Sequence, residues 1–334
     1  MKIKHGKIMV QFTVKEHALK PFAIEAKEIL EKYLSEIEVD VSDYTFAANY
    51  IWLANASGFY TIINNCFCLF AMSGGELTML LPPIGKKKYI NDTITECFEI
   101  MNTNNSSIYY SRIDYVQEWM VEEFVQSADE AENMFTMLEN FLVEKKLVDY
   151  IYEVDALIEL RGNSYHTKRT EINKFKKSYP DHRIEDLDSL KHKEEVMELF
   201  NKWVSDRVRY MPKDEAEVFL EGIHQERHAV KRMLRDYEAL GLIGLVIYIN
   251  DELKGFTVGE KINQDTASVI IEKTDFEVMG CAQFIFREFS KVLKEHYDVN
   301  YINVGDDMGF ENLRKVKMSY RPYKLVPKYT IYQK

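Results

Sequence analysis

Residues 267–282 read ASVIIEKTDFEVMGCA, and the change of pattern inside this stretch organises the chain around it. Val269, Ile270 and Ile271 are β-branched and apolar, so the composition predicts a strand from Ala267 to Thr274. A helix follows over Gln283 to His296. Between them lie Gly280, Cys281 and Ala282. A strand that turns through glycine into a helix leaves the first backbone N–H groups of that helix without partners, and such a turn can hold a pyrophosphate or a developing oxyanion. Any tight strand-to-helix turn also needs a small residue, so the turn alone does not decide between packing and binding.

Upstream of this stretch, strands at Gly244 to Ile249 and Lys254 to Ile262 are separated by turns at Asn250-Asp251 and Asn263 to Asp265. Helices over Tyr165 to Tyr179, Ser189 to Asp206 and Asp214 to Leu240 precede them. Downstream come a strand at Tyr301 to Val304, a helix at Glu311 to Tyr320 and a strand at Lys324 to Tyr332. The first half has a similar order. A helix spans Phe22 to Ile37, and Ser42 to Thr45 cap a second running from Phe46 to Leu53. Runs at Phe59 to Ile63, Cys66 to Ala71 and Leu77 to Leu81 are joined by Asn64-Asn65 and Ser73-Gly74-Gly75, which is hairpin chemistry and predicts an antiparallel meander. Then follow a helix (Asp92 to Asn102), a strand (Ser107 to Arg112), helices over Asp114 to Phe124 and Ala128 to Lys146, and a strand at Val148 to Val154. Meander, helix, strand, helix, strand thus occurs once in each half, with an extra helix in the first. The expectation is an α+β fold built by tandem duplication, with mixed, mostly antiparallel sheets flanked by helices and a division at 155/156.

With 334 residues, 46% of them apolar and 13% aromatic, the chain can bury a large core, which excludes disorder and coiled coil as whole-chain readings. Its net charge of -11 argues against a DNA-binding protein and against a basic peripheral membrane protein. Cys66, Cys68, Cys97 and Cys281 form no C-x-x-C pair and read as small hydrophobes in the core, not as metal or redox ligands. The longest apolar stretch, Ala239 to Ile249, is about half of what a bilayer requires. The start, MKIKHGKIMVQF, lacks the apolar region and cleavage site of a secretory leader, so a cytoplasmic location is expected.

Positive charge is concentrated in two places. Residues 161–177 carry six cations against Glu171, and at helical spacing His166, Arg169, Asn173, Lys176 and Lys177 lie together beside an apolar stripe of Tyr165, Ile172, Phe175 and Tyr179. A solvated helix face gives the same pattern; a basic stripe on an acidic chain also suits phosphate. Residues 311–328 hold the second cluster, with Arg314, Lys315, Lys317, Arg321, Lys324 and Lys328. If both clusters face one groove, a polyanion such as a tRNA acceptor end or a lipid phosphate fits it. Candidate acids are Glu260 and Glu272 on neighbouring strands. A three-residue turn between those strands puts both on one face, and a four-residue turn separates them. Asp306 and Asp307 stand before a helix, where one caps and the other is placed to hold an amine or accept its proton. Tyr320 is a candidate proton donor to a leaving group, although such a residue is more often an ordinary buried tyrosine. His224 and His228, lacking an acidic partner in an H-E-x-x-H pattern, read as surface residues, and no metal site is expected.

The turn at Glu277 to Ala282 resembles the pyrophosphate turn of Gcn5-related N-acetyltransferases, with Glu277 where that family places Gln or Arg. Ser42 to Phe46 with Ile51-Trp52, Gly162 to Lys177, Val258 to Lys261, Ile271 to Asp275 and Asn303 to Tyr320 together resemble the family that contains the C-terminal domain of phosphatidylglycerol lysyltransferases. The resemblance spans almost the whole chain. It implies a tandem acetyltransferase-like (GNAT) fold, similar to the peptidoglycan-bridge aminoacyltransferases, whose second half, 156–334, holds the active groove while the first, 1–155, is structural. It also implies transfer of an aminoacyl group from aminoacyl-tRNA to a lipid or other small acceptor, with no permanently bound cofactor. In that scheme Arg169, Lys176 and Arg314 meet the donor's phosphates, Glu260 or Glu272 moves the proton, and Asp306 or Asp307 positions substrate. Two alternatives are an acyl-CoA-dependent N-acyltransferase using Gly280 to Ala282, and a non-catalytic module that binds a phosphorylated ligand.

Overall fold

The structure is a computed structural model that describes residues 13–14, 17–53, 57–126, 141–209 and 211–334. Two compact units emerge. The first spans Met1–Ile37, Ala56–Glu144 and Thr330–Lys334; the second spans Glu38–Asn55 and Lys145–Tyr329. Residues 38–55 thus fold with the later part of the chain.

In the first unit, β1 (Ser57–Ile63), β2 (Cys66–Ser73) and β3 (Glu76–Met79) form the expected antiparallel meander. Its turns work because Asn64, Asn65, Gly74 and Gly75 all take positive φ, the backbone that a two-residue hairpin requires. Helix α1 (Lys27–Leu34) packs on β2, with Tyr33 and Tyr60 against Phe67. Helix α3 (Lys87–Asn104) also packs on β2, bringing Cys97 beside Cys68. All four cysteines are free and buried, as core residues. The chain then crosses through α3 to β4 (Arg112–Gln117), which runs parallel to β3, and α4 (Glu118–Gln126) follows. The strand and helix expected at 107–112 and 114–124 are therefore displaced: Ser107 caps a short 3-10 turn, and Ile113 and Val116 supply the buried strand residues. Of the helix expected over 128–146, residues 128–140 lie outside the described residues, and 141–146 belong to β5 (Phe141–Glu153). The charges at 144–146 resemble a helix face, but Val148 to Tyr152 extend the segment as a strand.

The second unit repeats the order. Strands β6 (Arg183–Asp186), β7 (Ile243–Ile249), β8 (Glu252–Lys261) and β9 (Thr266–Thr274) are antiparallel neighbours, and the chain crosses through α10 (Cys281–Tyr297) to β10 (Tyr301–Asn303), parallel to β9. β10 pairs with β5, and β5 with β11 (Lys324–Gln333). Only Thr266 to Ser268 of β9 pair with β10, so Val269 to Thr274 continue past the end of that ladder.

The two sheet faces are covered by different helices. Leu245 and Ile247 of β7 pack under α10 and α6 (His166–Ser178), with Phe284, Phe286 and Phe289. Strand alternation turns Tyr248 the other way. There its hydroxyl donates to Glu195 of α7 (Ser189–Arg209) at 2.6 Å. Helix α2 (Phe46–Trp52) packs on α8 (Lys213–Arg235). Short helices α5 (Val154–Glu159), α9 (Tyr237–Leu240) and α11 (Glu311–Met318) complete the unit.

Candidate functional site

The stretch of β9 beyond its pairing with β10 carries Glu272, and one irregularity determines which way it faces. Val258 pairs with Ile271 but Gly259 with Val269, so Ile270 is an extra residue, a β-bulge in β9. The turn at Asn263 to Asp265 has three residues, as Ile262 N–H donates to Thr266 O, and that register alone would place Glu260 and Glu272 on one face. The bulge reverses this. Glu272 lies opposite Thr257, which lies opposite Leu245 on the α10 face; Glu260, three residues beyond Thr257, points to the α7 face. The two carboxylates are therefore separated by the sheet.

Glu272 Oε2 is buried without a hydrogen-bond partner, as are Thr257 Oγ1 across the strand pair and Glu171 Oε2 on α6. Burial raises the Glu272 carboxyl to about 8, against the opposing influence of Thr257 and Lys273. Tyr320 shares this neighbourhood. Its ring packs edge-on to Phe286 at 5.4 Å, and Lys168 Nζ lies 4.2 Å from the ring centroid. Burial drives the Tyr320 hydroxyl far above its ordinary value, and Glu272 and Glu171 push the same way. Burial also lowers Lys168, with Glu171 partly offsetting it. Lys168, Glu171, Glu272 and Tyr320 thus form one half-buried polar group between α6, β9 and the end of α11. Such a group is able to hold and pass a proton.

Glu260 is differently employed. It is buried, and Thr45, the N-cap of α2, donates its hydroxyl to Glu260 Oε1 at 2.5 Å while accepting from Ala48 N–H at 3.1 Å.

Asp306 and Asp307 belong to a third arrangement, centred on Lys328. Its buried Nζ reaches Asp306 Oδ2 at 2.6 Å, Asp43 Oδ2 at 2.7 Å and Asp149 Oδ1 at 2.9 Å. Asp149 Oδ2 also accepts from Ser42 N–H, Ser42 Oγ and Asn303 Nδ2. Burial raises Asp43 to about 6 despite Lys328, whereas Lys328 and the hydrogen bonds hold Asp149 below its ordinary value. Asp307 accepts from Arg314 Nε at 2.8 Å and Tyr150 Oη at 2.6 Å, and these hold it at about 2. Lys317, pulled to about 8 by burial, donates to the backbone carbonyls of Val304, Gly305 and Asp306. Arg314, Lys317 and Lys328 of the second basic cluster are therefore engaged inside the unit.

On α6, Arg169 donates to the carbonyls of Leu160 and Gly162 and ties down the preceding loop. His166, Asn173 and Lys176 are exposed, with Lys176 Nζ 5.4 Å from the Phe284 ring. The turn Gly280–Cys281–Ala282 forms at the start of α10, with Gly280 at φ +80. It is covered: a Cβ on Gly280 would lie 2.4 Å from Glu171 O, and the buried Cys281 thiol is pushed up by desolvation. Among the described residues no cluster of His, Cys, Asp or Glu is suited to a metal.

The fold defines the class. Each unit contains an antiparallel meander, a helical crossover and a parallel strand, the architecture of a tandem GNAT-type acyltransferase. The chain belongs to the phosphatidylglycerol lysyltransferase C-terminal family, whose sequence profile matches residues 35–332. A protein of unknown function from Bacteroides thetaiotaomicron has a similar structure, with 25% identity, a TM-score of 0.78 and coverage of 95% of this chain and 99% of that one. L-PGS from Bacillus licheniformis is 15% identical, with a TM-score of 0.62 over 91% of each chain. The C-terminal domain of a lysylphosphatidylglycerol synthetase candidate from Agrobacterium fabrum is 13% identical, with a TM-score of 0.63 over 92% of this chain and 93% of that one. At those identities the two show a shared fold. An uncharacterised protein of Mycoplasmoides gallisepticum is 22% identical over 191 residues, 57% of this chain and 58% of that protein, so the match spans less than two thirds of this relative. No helix among the described residues is long and apolar enough to cross a membrane.

Proposed function

We propose that the chain is an aminoacyltransferase domain that moves an aminoacyl group from aminoacyl-tRNA to a hydroxyl or amine acceptor, with Glu272 as the proton carrier. The observation that carries this reading is the Glu272 carboxyl, pushed up to about 8 by burial and lacking a partner for Oε2, on the stretch of β9 that continues past its pairing with β10. Family membership supplies the reaction class. An aminoacyl ester is already activated, so the protein must align the acceptor, move one proton and meet the charge of a tetrahedral intermediate. The acceptor oxygen or nitrogen bonds to the acyl carbon, and the ester bond to the tRNA ribose breaks. Glu272 gives its proton to the leaving ribose oxygen, and the resulting carboxylate takes the proton released by the acceptor. Lys168 provides nearby positive charge for the oxyanion, and Tyr320 orders the group around Glu272.

The acyl-coenzyme A alternative draws less support, because Glu171 O packs against Gly280 where a pyrophosphate would need access. The deciding experiment follows label from lysyl-tRNA into phosphatidylglycerol, with labelled acetyl-coenzyme A as a second donor. Transfer from the tRNA is expected, with a fall of about a hundredfold or more in Glu272→Gln at unchanged tRNA affinity. Equal turnover by Glu272→Gln, or transfer only from acetyl-coenzyme A, overturns the proposal.

A further inference from the structure

On the α7 side of the second unit, a cleft of about 510 Å³ lies between α7 and α8, lined by Lys193, Met197, His228, Lys231, Arg232 and Arg235. Five of these six side chains are basic types, within a chain of net charge -11. None belongs to either basic cluster evident from the sequence, because they come from two helices and meet only after folding.

The cleft is built as well as charged. The Arg232 guanidinium stacks over Tyr50 with its carbon 3.8 Å from the ring centroid. Tyr50 is itself fixed, donating its hydroxyl to Asp236 Oδ2 at 2.7 Å and accepting from Arg235 Nη2 at 3.0 Å. Asp236, held by Arg235 and Tyr50 and also attracted by Arg232, offsets part of the charge at that end of the cleft and leaves the surplus with Lys193 and Lys231. Arg232 Nε is buried and has no hydrogen-bond partner. A buried guanidinium N–H left open is costly unless an acceptor arrives. Among the described residues no carboxylate lies within 4.0 Å of the Lys193 or Lys231 ammonium.

We propose that this cleft is a binding site for a phosphate ester, with Arg232 as its fixed donor and Lys193 and Lys231 closing on the remaining oxygens. Phosphate matches the donor set: a planar guanidinium edge meets two oxygens together, and two flexible ammonium groups neutralise the rest. The volume suits one phosphorylated headgroup or a small ester, not an extended polymer. Met197 supplies an apolar side for the group that carries the phosphate.

The test is calorimetric titration of the full chain at low salt with inorganic phosphate and sn-glycerol 3-phosphate, and sedimentation with phosphatidylcholine vesicles with and without phosphatidic acid. Saturable binding of glycerol 3-phosphate is expected, weakening with salt. It should be about tenfold or more weaker in the double variant Lys193→Ala/Lys231→Ala, the scale of one charge-assisted hydrogen bond. Both substituted side chains are exposed, so the fold should survive, and Arg232→Lys, which keeps the charge but loses the fork, should weaken binding as well. Co-sedimentation with phosphatidic acid vesicles that glycerol 3-phosphate reverses identifies a lipid headgroup as the source; binding of the soluble ester without co-sedimentation identifies a soluble one. Absence of saturable binding to either small phosphate, or equal affinity in the double variant, would overturn the proposal.

Discussion

Lys328 Nζ and Asp149 Oδ1 lie 2.9 Å apart with 2% and 0% of their side chains exposed, and two more aspartates share the same ammonium. Three chain segments, around Asp43, Asp149 and Asp306, are thereby fixed to one strand. An ion group of this kind contributes little over an apolar packing of the same shape, but loss of one member leaves uncompensated buried charge.

Replacing Lys328 with Met should destabilise the second unit by about 3–5 kcal/mol, since the removed ammonium leaves three carboxylates facing one another. Urea unfolding is the measurement. Lys324→Met, which breaks the half-exposed pair with Asp40, should cost less than about 1 kcal/mol. Similar losses in the two variants would contradict the buried assignment.

The carboxyl of Glu272 makes a prediction of opposite sign. Its folded value of about 8 lies above its ordinary 4.5, so the folded state retains a proton that the unfolded chain releases between these limits. Stability should therefore fall as pH rises through that window, by up to about 1.4 kcal/mol per pH unit. Glu272→Gln removes the titration, so its stability relative to the parent should improve steadily between pH 5 and pH 8. Unfolding midpoints that change in parallel would show that Glu272 ionises freely in the fold.

Gly280 and Gly162 both take positive φ, at +80 and +86, so alanine at either position meets backbone strain of about 1–3 kcal/mol. They differ in their surroundings: a Cβ at 162 enters open space, whereas at 280 it meets the carbonyl of Glu171 at 2.4 Å. Thermal melting should show Gly280→Ala as clearly the more destabilised of the two. Equal shifts would mean that α6 does not press on the turn.

Much of the architecture was legible because it is local. Asn64-Asn65 and Ser73-Gly74-Gly75 specify their hairpins, and Thr45 is recognisable as a cap. Less local features escaped. Nothing near Ile270 announces a bulge, yet that one residue decides which side of the sheet Glu272 faces. Arg314, Lys317 and Lys328 read as a basic cluster available to a polyanion because the groups that engage them include carbonyls and carboxylates from other segments; Asp43 is 285 positions from Lys328. Lys168 and Glu171 counted only as charges in a helix, since the phenol and carboxylate that give them a role arrive from β9 and the end of α11. The strand at Phe141–Glu153 was obscured at its start by charged residues that imitate a helix face.

The second unit takes its cap, its Asp43 and its Tyr50 from residues 38–55 and the remainder from Lys145–Tyr329. During synthesis those early residues leave the ribosome long before the strand that carries Lys328, and roughly ninety residues belonging to the other unit are made in between. The second unit therefore cannot close until nearly the whole chain has been made, and its closing contacts have a high sequence separation, which slows folding. A fragment beginning at residue 156 would lack Asp43, Asp149 and Thr45 at once, so trimming the gene at the apparent midpoint should yield an aggregating product in place of a minimal enzyme.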